Sequence, residues 1–300
     1  MTHKALPVFP AAIALATAIA LAGGAAFAQQ LVTRTVLVTV LDEKGVAVRG
    51  LADPDFSMRE NDVLRAVTRV RLAEEPLYVT VLVDLTQPRA GTSAPVAELR
   101  AGLARFLDAV RLGDPSAKVA LVEVSGSAVE TSGFAQSADV LDRHVRRLFT
   151  TQQSGGVMLE AFVEAARLLG EVPSPRRAIV CIERDSIEHS TLRPEDVSAS
   201  VLRAGAAVWV LSLRRDGGSS LARELVLDEL PRMSGGLRLT TLASTPIESM
   251  LRSIGRALTS QYELTYETDA RTVTSLEPGV HLDGRVLVSP WVRRVRMREH

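Results

Sequence analysis

The hydrophobic pattern of the chain changes near residue 76. Between residues 31 and 72, short apolar stretches alternate with polar turns, for example at residues 42–45 and 61–62. This pattern is typical of β-strands joined by tight turns, and it has no helical period. We therefore predict a small β unit over residues 29–75.

After residue 76, apolar strands alternate with amphipathic helices. The run LYVTVLVDL, residues 77–85, has almost no polar position, which indicates a strand buried on both faces. The next predicted helix, residues 95–110, carries one apolar stripe that includes Leu99, Leu103 and Phe106. Strands alternating with helices predict right-handed crossovers between parallel strands. The predicted fold class is α/β, a three-layer, mainly parallel sheet with helices on both faces, plus the amino-terminal β unit.

The carboxyl-terminal part of the chain divides into two predicted segments. The α/β domain is expected over residues 76–270, with the strand QYELTYET, residues 261–268, closing it. Residues 271–300 are expected to form a loop and a strand that return to the β unit.

The first 28 residues have the pattern of a signal peptide. His3 and Lys4 precede an apolar run, and Ala26, Phe27 and Ala28 form an A-x-A cleavage pattern. An uncleaved membrane anchor is the alternative, because the apolar stretch approaches spanning length. After cleavage no stable membrane span is expected. The chain is therefore predicted to be exported, to the periplasm or outside the cell.

Composition and motifs exclude several classes of function. The 35 basic and 35 acidic residues cancel, so no long-range field favours nucleic acid as a partner. A single cysteine, Cys181, cannot form an internal disulfide, and its position within a predicted strand indicates a buried core residue. The sequence contains no phosphate-binding glycine loop, zinc spacing, dinucleotide fingerprint or nucleophile elbow. It therefore does not predict an enzyme.

Three sequence features together resemble one family. They are DFSMREND at residues 55–62, the buried strand that ends at Asp84, and the pattern QYELTY at residues 261–266. In these features the chain is similar to von Willebrand factor type A (VWFA) domains, in particular to bacterial proteins with the VWFA-related domain of acidobacterial type. The resemblance implies a protein-interaction module. It also implies a metal-ion-dependent adhesion site, in which oxygen atoms from three loops hold a divalent cation that accepts a carboxylate of the partner.

The first two loops of this site match the family pattern only in part. The resemblance implies that Asp84 supplies the carboxylate and Thr86 a hydroxyl, but Pro88 replaces the second hydroxyl. In the second loop the family has a threonine where this chain has Val157, after Gly155 and Gly156. Ser154 lies nearby but is displaced.

The third loop departs further, because Arg184 occupies the position of the family's aspartate. Glu183 or Asp185 would replace that aspartate if the loop were shifted by one residue. Divalent cations such as Mg²⁺ require hard oxygen ligands in near-ideal geometry. These departures predict a degenerate, metal-free site in which an ion pair between Asp84 and Arg184 replaces the metal.

The resulting hypothesis is a metal-free module, without a cofactor, that binds a protein partner. Its expected ligand-binding residues are Asp84, Thr86, Ser154, Arg184 and Asp185. The alternative is a metal-dependent adhesin that binds Mg²⁺ or Mn²⁺ through Asp84 and Thr86, and a hydrolase is a third, less favoured function.

Overall fold

The central sheet of the chain has six strands, five of them parallel. The computed structural model describes residues 31–87, 95–134, 136–153, 155–213, 220–241 and 246–295, with residues 290–295 as backbone. The strands of this sheet are β5 (Tyr78–Asp84), β6 (Lys118–Val124), β7 (Ala128–Ser132), β9 (Arg177–Arg184), β11 (Ala207–Leu213) and β12 (Arg238–Thr240). Their order is β12-β11-β9-β5-β6-β7, and only β7 is antiparallel to its neighbour. The predicted α/β fold class is therefore confirmed.

Within the described residues, six helices cover the two faces of this sheet. They are α1 (Val96–Gly113), α2 (Ala138–Arg147), α3 (Met158–Gly170), α4 (Pro194–Ala204), α5 (Leu221–Ser234) and α6 (Ile247–Leu258). Along β5 the side chains alternate between two cores. Val81 and Val83 pack with residues of α1 and α6, such as Phe106 and Ile254, whereas Leu82 packs with residues of α3, α4 and α5, including Phe162. This two-sided burial explains the nearly unbroken apolar run of β5.

The remaining strands form two further sheets and one short pair. A four-stranded sheet has the order β15-β1-β13-β4, with β1 (Val32–Asp42), β4 (Val67–Leu72), β13 (Tyr262–Thr268) and β15 (Gly284–Val295). A three-stranded sheet has the order β14-β2-β3, with β2 (Phe56–Glu60), β3 (Val63–Arg65) and β14 (Leu276–Val280). The short pair is β8 (Gly155–Gly156) with β10 (Ile187–Glu188).

The position of β13 corrects one expectation. The sequence predicts this strand as part of the α/β domain, but it pairs antiparallel with β1 on one side and β4 on the other. Its side chains Tyr262, Leu264 and Tyr266 pack with Val36 and Val38 of β1 in a third core. The β unit is therefore built from the chain before residue 76 and the chain after residue 261.

A buried charge cluster connects the two ends of this β unit. Glu60, at the end of β2, is fully buried. Its carboxylate accepts hydrogen bonds from Arg34, from the hydroxyl of Tyr266 at 3.0 Å, and from the hydroxyl of Thr268. Burial, together with the neighbouring Glu60 carboxylate, raises the pKa of Tyr266, so this phenol stays protonated and donates. Glu60 of the motif DFSMREND and Tyr266 of the motif QYELTY are therefore in direct contact.

A second buried arginine joins the β unit to the central sheet. Arg176 precedes β9, and its guanidinium donates to Asp114 at 2.9 Å, to the carbonyl of Glu75 at 2.6 Å and to Gln261 at 3.3 Å. From Leu31 onward, the described residues form one compact unit. Within the described residues, no helix is long and apolar enough to cross a membrane.

We expect Glu60→Ala to lower the free energy of unfolding by about 3–5 kcal/mol, because the change leaves a buried arginine without its carboxylate. Urea denaturation of both proteins measures this difference. Glu43→Ala is the matched control, since Glu43 is exposed in the turn after β1. Equal effects of the two substitutions would contradict the role assigned to Glu60.

Candidate functional site at the carboxyl edge of the sheet

The predicted site residues of the first and third loops lie side by side. Strands β5 and β9 are parallel neighbours, with Val83 opposite Ile182, so both strands end at the same edge. Asp84 and Thr86 are at most 1% exposed, and Arg184 and Asp185 are also buried. Pro88 and Ser154 lie outside the described residues. The structure thus brings Asp84, Thr86, Arg184 and Asp185 to one edge of the sheet.

Asp84 is surrounded by hydrogen-bond donors. Its Oδ1 atom accepts from the backbone N–H of Thr86 at 3.1 Å and from the hydroxyl of Thr86 at 2.5 Å. Its Oδ2 atom accepts from the hydroxyl of Ser186 at 2.8 Å, from the backbone N–H of Arg184 at 3.3 Å and from Nη2 of Arg223 at 3.1 Å. Both carboxylate oxygens are therefore engaged within the protein.

Arg223, in the first turn of α5, is the cation of this site. Its side chain is 1% exposed. Its Nη2 atom lies 3.0 Å from Oε2 of Glu183 and 3.1 Å from Oδ2 of Asp84, and its Nη1 atom donates to the hydroxyl of Ser186 at 2.8 Å. Burial by itself lowers the pKa of Arg223, but Glu183, Asp84 and Glu188 outweigh burial and raise it. The guanidinium therefore remains charged where the strand ends converge.

The predicted ion pair between Asp84 and Arg184 is wrong, because a different arginine takes this role. The guanidinium of Arg184 donates to the carbonyl of Thr86 at 3.1 Å and to the hydroxyl of Thr150 at 3.2 Å. Only its backbone N–H reaches Asp84. Burial lowers the pKa of Arg184, and the nearby Asp84 opposes this effect. Arg184 thus fixes the loops around the site, and Arg223 neutralises the aspartate.

One local signal in the sequence pointed to Arg223. Basic side chains are unfavourable in the first turn of a helix, where the helix dipole is positive. Ser220 caps α5 by accepting the backbone N–H of Arg223, so this arginine lies in that first turn. Carboxylates that outweigh the dipole were therefore to be expected nearby, but the sequence does not tell which ones.

Glu183 links Arg223 to a second arginine. This glutamate is fully buried, and its Oε1 atom lies 3.3 Å from Nη2 of Arg238. Arg238 also contacts Glu224 at 3.2 Å and Asp228 at 2.5 Å, both on α5. Positive and negative side chains therefore alternate from Asp84 through Arg223, Glu183 and Arg238 to the carboxylates on the surface of α5. Asp185, by contrast, has a buried oxygen, Oδ1, that lacks a hydrogen-bond donor within the described part of the chain.

Close backbone packing fixes the second loop. A side chain at Gly156 would place its Cβ atom 2.9 Å from Cγ2 of Thr86 and 3.0 Å from the carbonyl oxygen of Ser125. The backbone N–H of Val157 donates to that same carbonyl at 3.0 Å. Gln153 connects the loops, since its carbonyl accepts from Gln87 at 2.7 Å and its side chain accepts from the backbone N–H of Gly126. The loops around the site are therefore tied to one another.

These residues do not fit a divalent cation. Five donors already occupy the two oxygens of Asp84, and the hydroxyl of Thr86 is one of them. A cation beside Asp84 would also be repelled by the guanidinium of Arg223. Across the described ranges, no three His, Cys, Asp or Glu side chains are grouped so as to hold a metal ion.

Two large apolar side chains are exposed at the rim of this edge. Phe149 is 65% exposed and directly precedes Thr150, the residue whose hydroxyl accepts from Arg184. Ile187, in β10, is 41% exposed. Cys181, in contrast, is buried in β9 with its Sγ atom 3.6 Å from Sδ of Met158, and burial raises the pKa of its thiol. The exposed rim therefore offers apolar contacts and not a reactive thiol.

Comparison with known proteins gives similarity of fold only. No family model matches the chain, and no curated protein matches it. Among solved structures, the chain is similar to the conserved hypothetical protein BatB from Bacteroides thetaiotaomicron, at 15% identity over 60% of this chain and 98% of that one, with a TM-score of 0.45. It is also similar to the SpRpn10 VWA domain, at 9% identity over 59% and 94%, with a TM-score of 0.45.

A third similar structure is proximal thread matrix protein 1 from the mussel byssus with a zinc-occupied MIDAS motif, at 11% identity over 66% of this chain and 49% of that one, with a TM-score of 0.46. At such identities the likeness does not extend to function.

We expect Arg223→Ala to lower the free energy of unfolding by about 3–5 kcal/mol near neutral pH, because Asp84 and Glu183 stay buried without their cation. Urea denaturation of both proteins measures this difference. Arg232→Ala is the control on the same helix, since Arg232 is exposed, and an equal loss in the two variants would contradict this account.

Glu188 makes stability depend on pH in a defined window. Its Oε1 atom accepts the backbone N–H groups of Met158 and Ser190, each at 3.1 Å, and Oε2 lies 4.0 Å from Nη1 of Arg223. Burial raises the pKa of Glu188 from 4.5 to about 7, although Arg223 opposes this shift. Below pH 4.5 the carboxyl is protonated in both the folded and unfolded chains, so the contribution of protonated Glu188 to the stability of the folded chain is fully present. It is lost as the pH rises to about 7.

We therefore expect Glu188→Gln to gain stability relative to the native chain between pH 4.5 and about pH 8, by up to about 3 kcal/mol. The amide cannot ionise, so the variant lacks the loss caused by Glu188. The difference in unfolding free energy across this range is the measurement. Glu195→Gln, an exposed position in α4, is the control, and identical pH curves for Glu188→Gln and the native chain would refute the expected titration.

Proposed function

We propose that the chain is an exported protein-interaction module that binds its partner without a metal ion. The observation that carries this proposal is the guanidinium of Arg223 between Asp84, Glu183 and Ser186. A fixed internal cation offers no open coordination position. A carboxylate of a partner therefore has no metal to bind at this edge, and recognition has to use the surface of the loops.

The loop surface has the properties of a recognition surface. It stands on the rigid carboxyl edge of a parallel sheet, where binding loops are commonly found. Phe149 and Ile187 supply exposed apolar area at the rim, and aromatic side chains frequently dominate the energy of protein interfaces. No nucleophile and base pair is arranged at the edge within the described residues, so a binding role without catalysis is the function we propose.

The export part of the proposal rests on the amino-terminal sequence pattern. The predicted signal peptide, residues 1–28, lies outside the described residues. Amino-terminal sequencing of the secreted or periplasmic protein tests it, with Gln29 expected as the first residue. A mature chain that retains residues 1–28 in a membrane fraction would favour the uncleaved anchor.

Titration calorimetry with Mg²⁺ and Mn²⁺ tests the metal-free state of the site. We expect no saturable binding to the native chain and, in contrast, Mn²⁺ binding to Arg223→Ala, because that variant leaves the oxygens of Asp84, Glu183 and Ser186 without a cation. Adding Asp84→Ala to this variant should abolish the gained binding. Saturable binding to the native chain that Asp84→Ala removes would establish the metal-dependent adhesin instead.

A capture experiment tests the proposed recognition surface. The immobilised mature chain should retain the same partner in chelator and in Mg²⁺, and the double variant Phe149→Ser with Ile187→Ser should weaken binding of the isolated partner at least about tenfold. Met233→Ser, which changes an apolar side chain that is 55% exposed near the other end of α5, is the matched control. Retention only in Mg²⁺, or equal loss in the control, would overturn the proposal.

A further inference from the structure

A second surface with binding chemistry lies at the opposite edge of the central sheet. A groove of about 690 Å³ runs between the carboxyl-terminal halves of α1 and α6 and the loop after β1. Directly after α1, the side chain of Asp114 accepts the backbone N–H of Leu77 just before β5 begins. Asp84 ends that seven-residue strand, so the two ends of β5 are about 20 Å apart.

Positive charge dominates this groove. Among the described residues that line it are Arg49, Arg105, Arg252 and Arg256, against the single carboxylate of Asp108. Arg105 contacts Glu248 at 3.2 Å, and both side chains are largely exposed. Arg252 and Arg256, one turn apart on α6, form no ion pair with any residue that the structure describes. The chain as a whole has no net charge, so this excess is local.

Helix dipoles explain only part of this charge. Arg256 lies in the last turn of α6, where a cation is favourable. Arg49 donates to the carbonyl of Thr259 at 2.9 Å and to the hydroxyl of Ser260 at 2.7 Å, so it caps the same helix end. Arg105 and Arg252 lie more than a turn from the ends of α1 and α6, where the effect of the dipole is small. Compensation of the dipoles therefore leaves two arginines unexplained.

The groove also has exposed apolar side chains at its rim and one arginine whose guanidinium is already held in place. Leu112 is 86% exposed and Val46 is 48% exposed, and both line the groove. The two bonds of Arg49 to the end of α6 hold its guanidinium in place before any ligand arrives, which reduces the entropy lost on binding. A ligand that fits carries carboxylates for the arginines and apolar side chains for Leu112 and Val46.

We infer that this groove binds an acidic peptide segment of a partner protein, with alternating carboxylate and apolar side chains. Arginine suits this ligand because its planar fork of donors matches a carboxylate in a bidentate arrangement. Carboxylates of the segment pair with Arg252, Arg256 and Arg105, while its apolar side chains cover Leu112 and Val46. This surface is separate from the loop surface of the proposed function.

Fluorescence anisotropy with a labelled peptide of alternating aspartate and leucine, added to the mature chain, tests this inference. We expect saturable binding that weakens with added salt. The double variant Arg252→Glu with Arg256→Glu should bind at least about tenfold more weakly, because charge-assisted hydrogen bonds are replaced by repulsion. A peptide with asparagine in place of each aspartate should not bind.

The matched control is Arg143→Glu with Arg147→Glu on α2, an exposed pair with the same spacing and the same change in net charge. It should leave peptide binding unchanged. Leu112→Ser should weaken binding without changing charge, and this variant tests the groove even if the charge-reversed protein does not fold.

Four outcomes would overturn the inference. Equal binding of the asparagine peptide, or an equal loss in the α2 control, would show that the groove does not select carboxylates. Equal binding of a single-stranded oligonucleotide would indicate a general polyanion surface. Self-association in sedimentation that Arg252→Glu with Arg256→Glu abolishes would assign the groove to a second copy of the chain.

Discussion

A buried guanidinium is tolerated only where carboxylates and carbonyl groups surround it, because removing a charge from water is costly. Arg223 meets this condition with Asp84 from β5, Glu183 from β9 and Ser186 from the following loop. The single side chain thereby fixes the first turn of α5 against the ends of two neighbouring strands. The positions of the third loop and of Arg184 depend on this contact, since the backbone N–H of Arg184 binds the same oxygen of Asp84.

An internal arginine and a bound metal ion satisfy the same carboxylate with different consequences. A metal ion exchanges with solvent and keeps a position open for a ligand, whereas arginine is permanently charged and covalently attached. Replacing such a buried pair with apolar groups often costs no stability, so the net contribution of the pair to folding is small. The pair does tie α5 to both strands, because Arg223 contacts Asp84 at the end of β5 and Glu183 in β9. At this edge the oxygens of Asp84 that a metal ion would need accept hydrogen bonds from Arg223, Ser186, Thr86 and the backbone of Arg184.

The sequence predicted the local features of this fold better than the distant ones. The unbroken apolar run of β5 correctly indicated burial on both faces and placed Asp84 at the carboxyl end of the strand, since both follow from neighbouring residues. Arg223 was missed because it lies 139 residues from Asp84 in the chain, and nothing local identifies its partners. The misplaced strand β13 did carry a signal, because glutamate and threonine alternate with its apolar residues, which is typical of an antiparallel sheet and not of a strand buried on both faces.

The two edges of the central sheet differ in whether their arginines have carboxylate partners within the described residues. At the carboxyl edge, the guanidinium groups of Arg223 and Arg238 are each paired with carboxylates of the protein itself, those of Asp84, Glu183, Glu224 and Asp228. At the amino edge, Arg252 and Arg256 have no carboxylate partner among the described side chains. Charges that are cancelled internally contribute to the precision of the fold, but they cannot attract a ligand. Charges without an internal partner, on a groove that is already formed, can attract a ligand. We therefore assign the electrostatic recognition of a carboxylate to the edge that lies opposite Asp84.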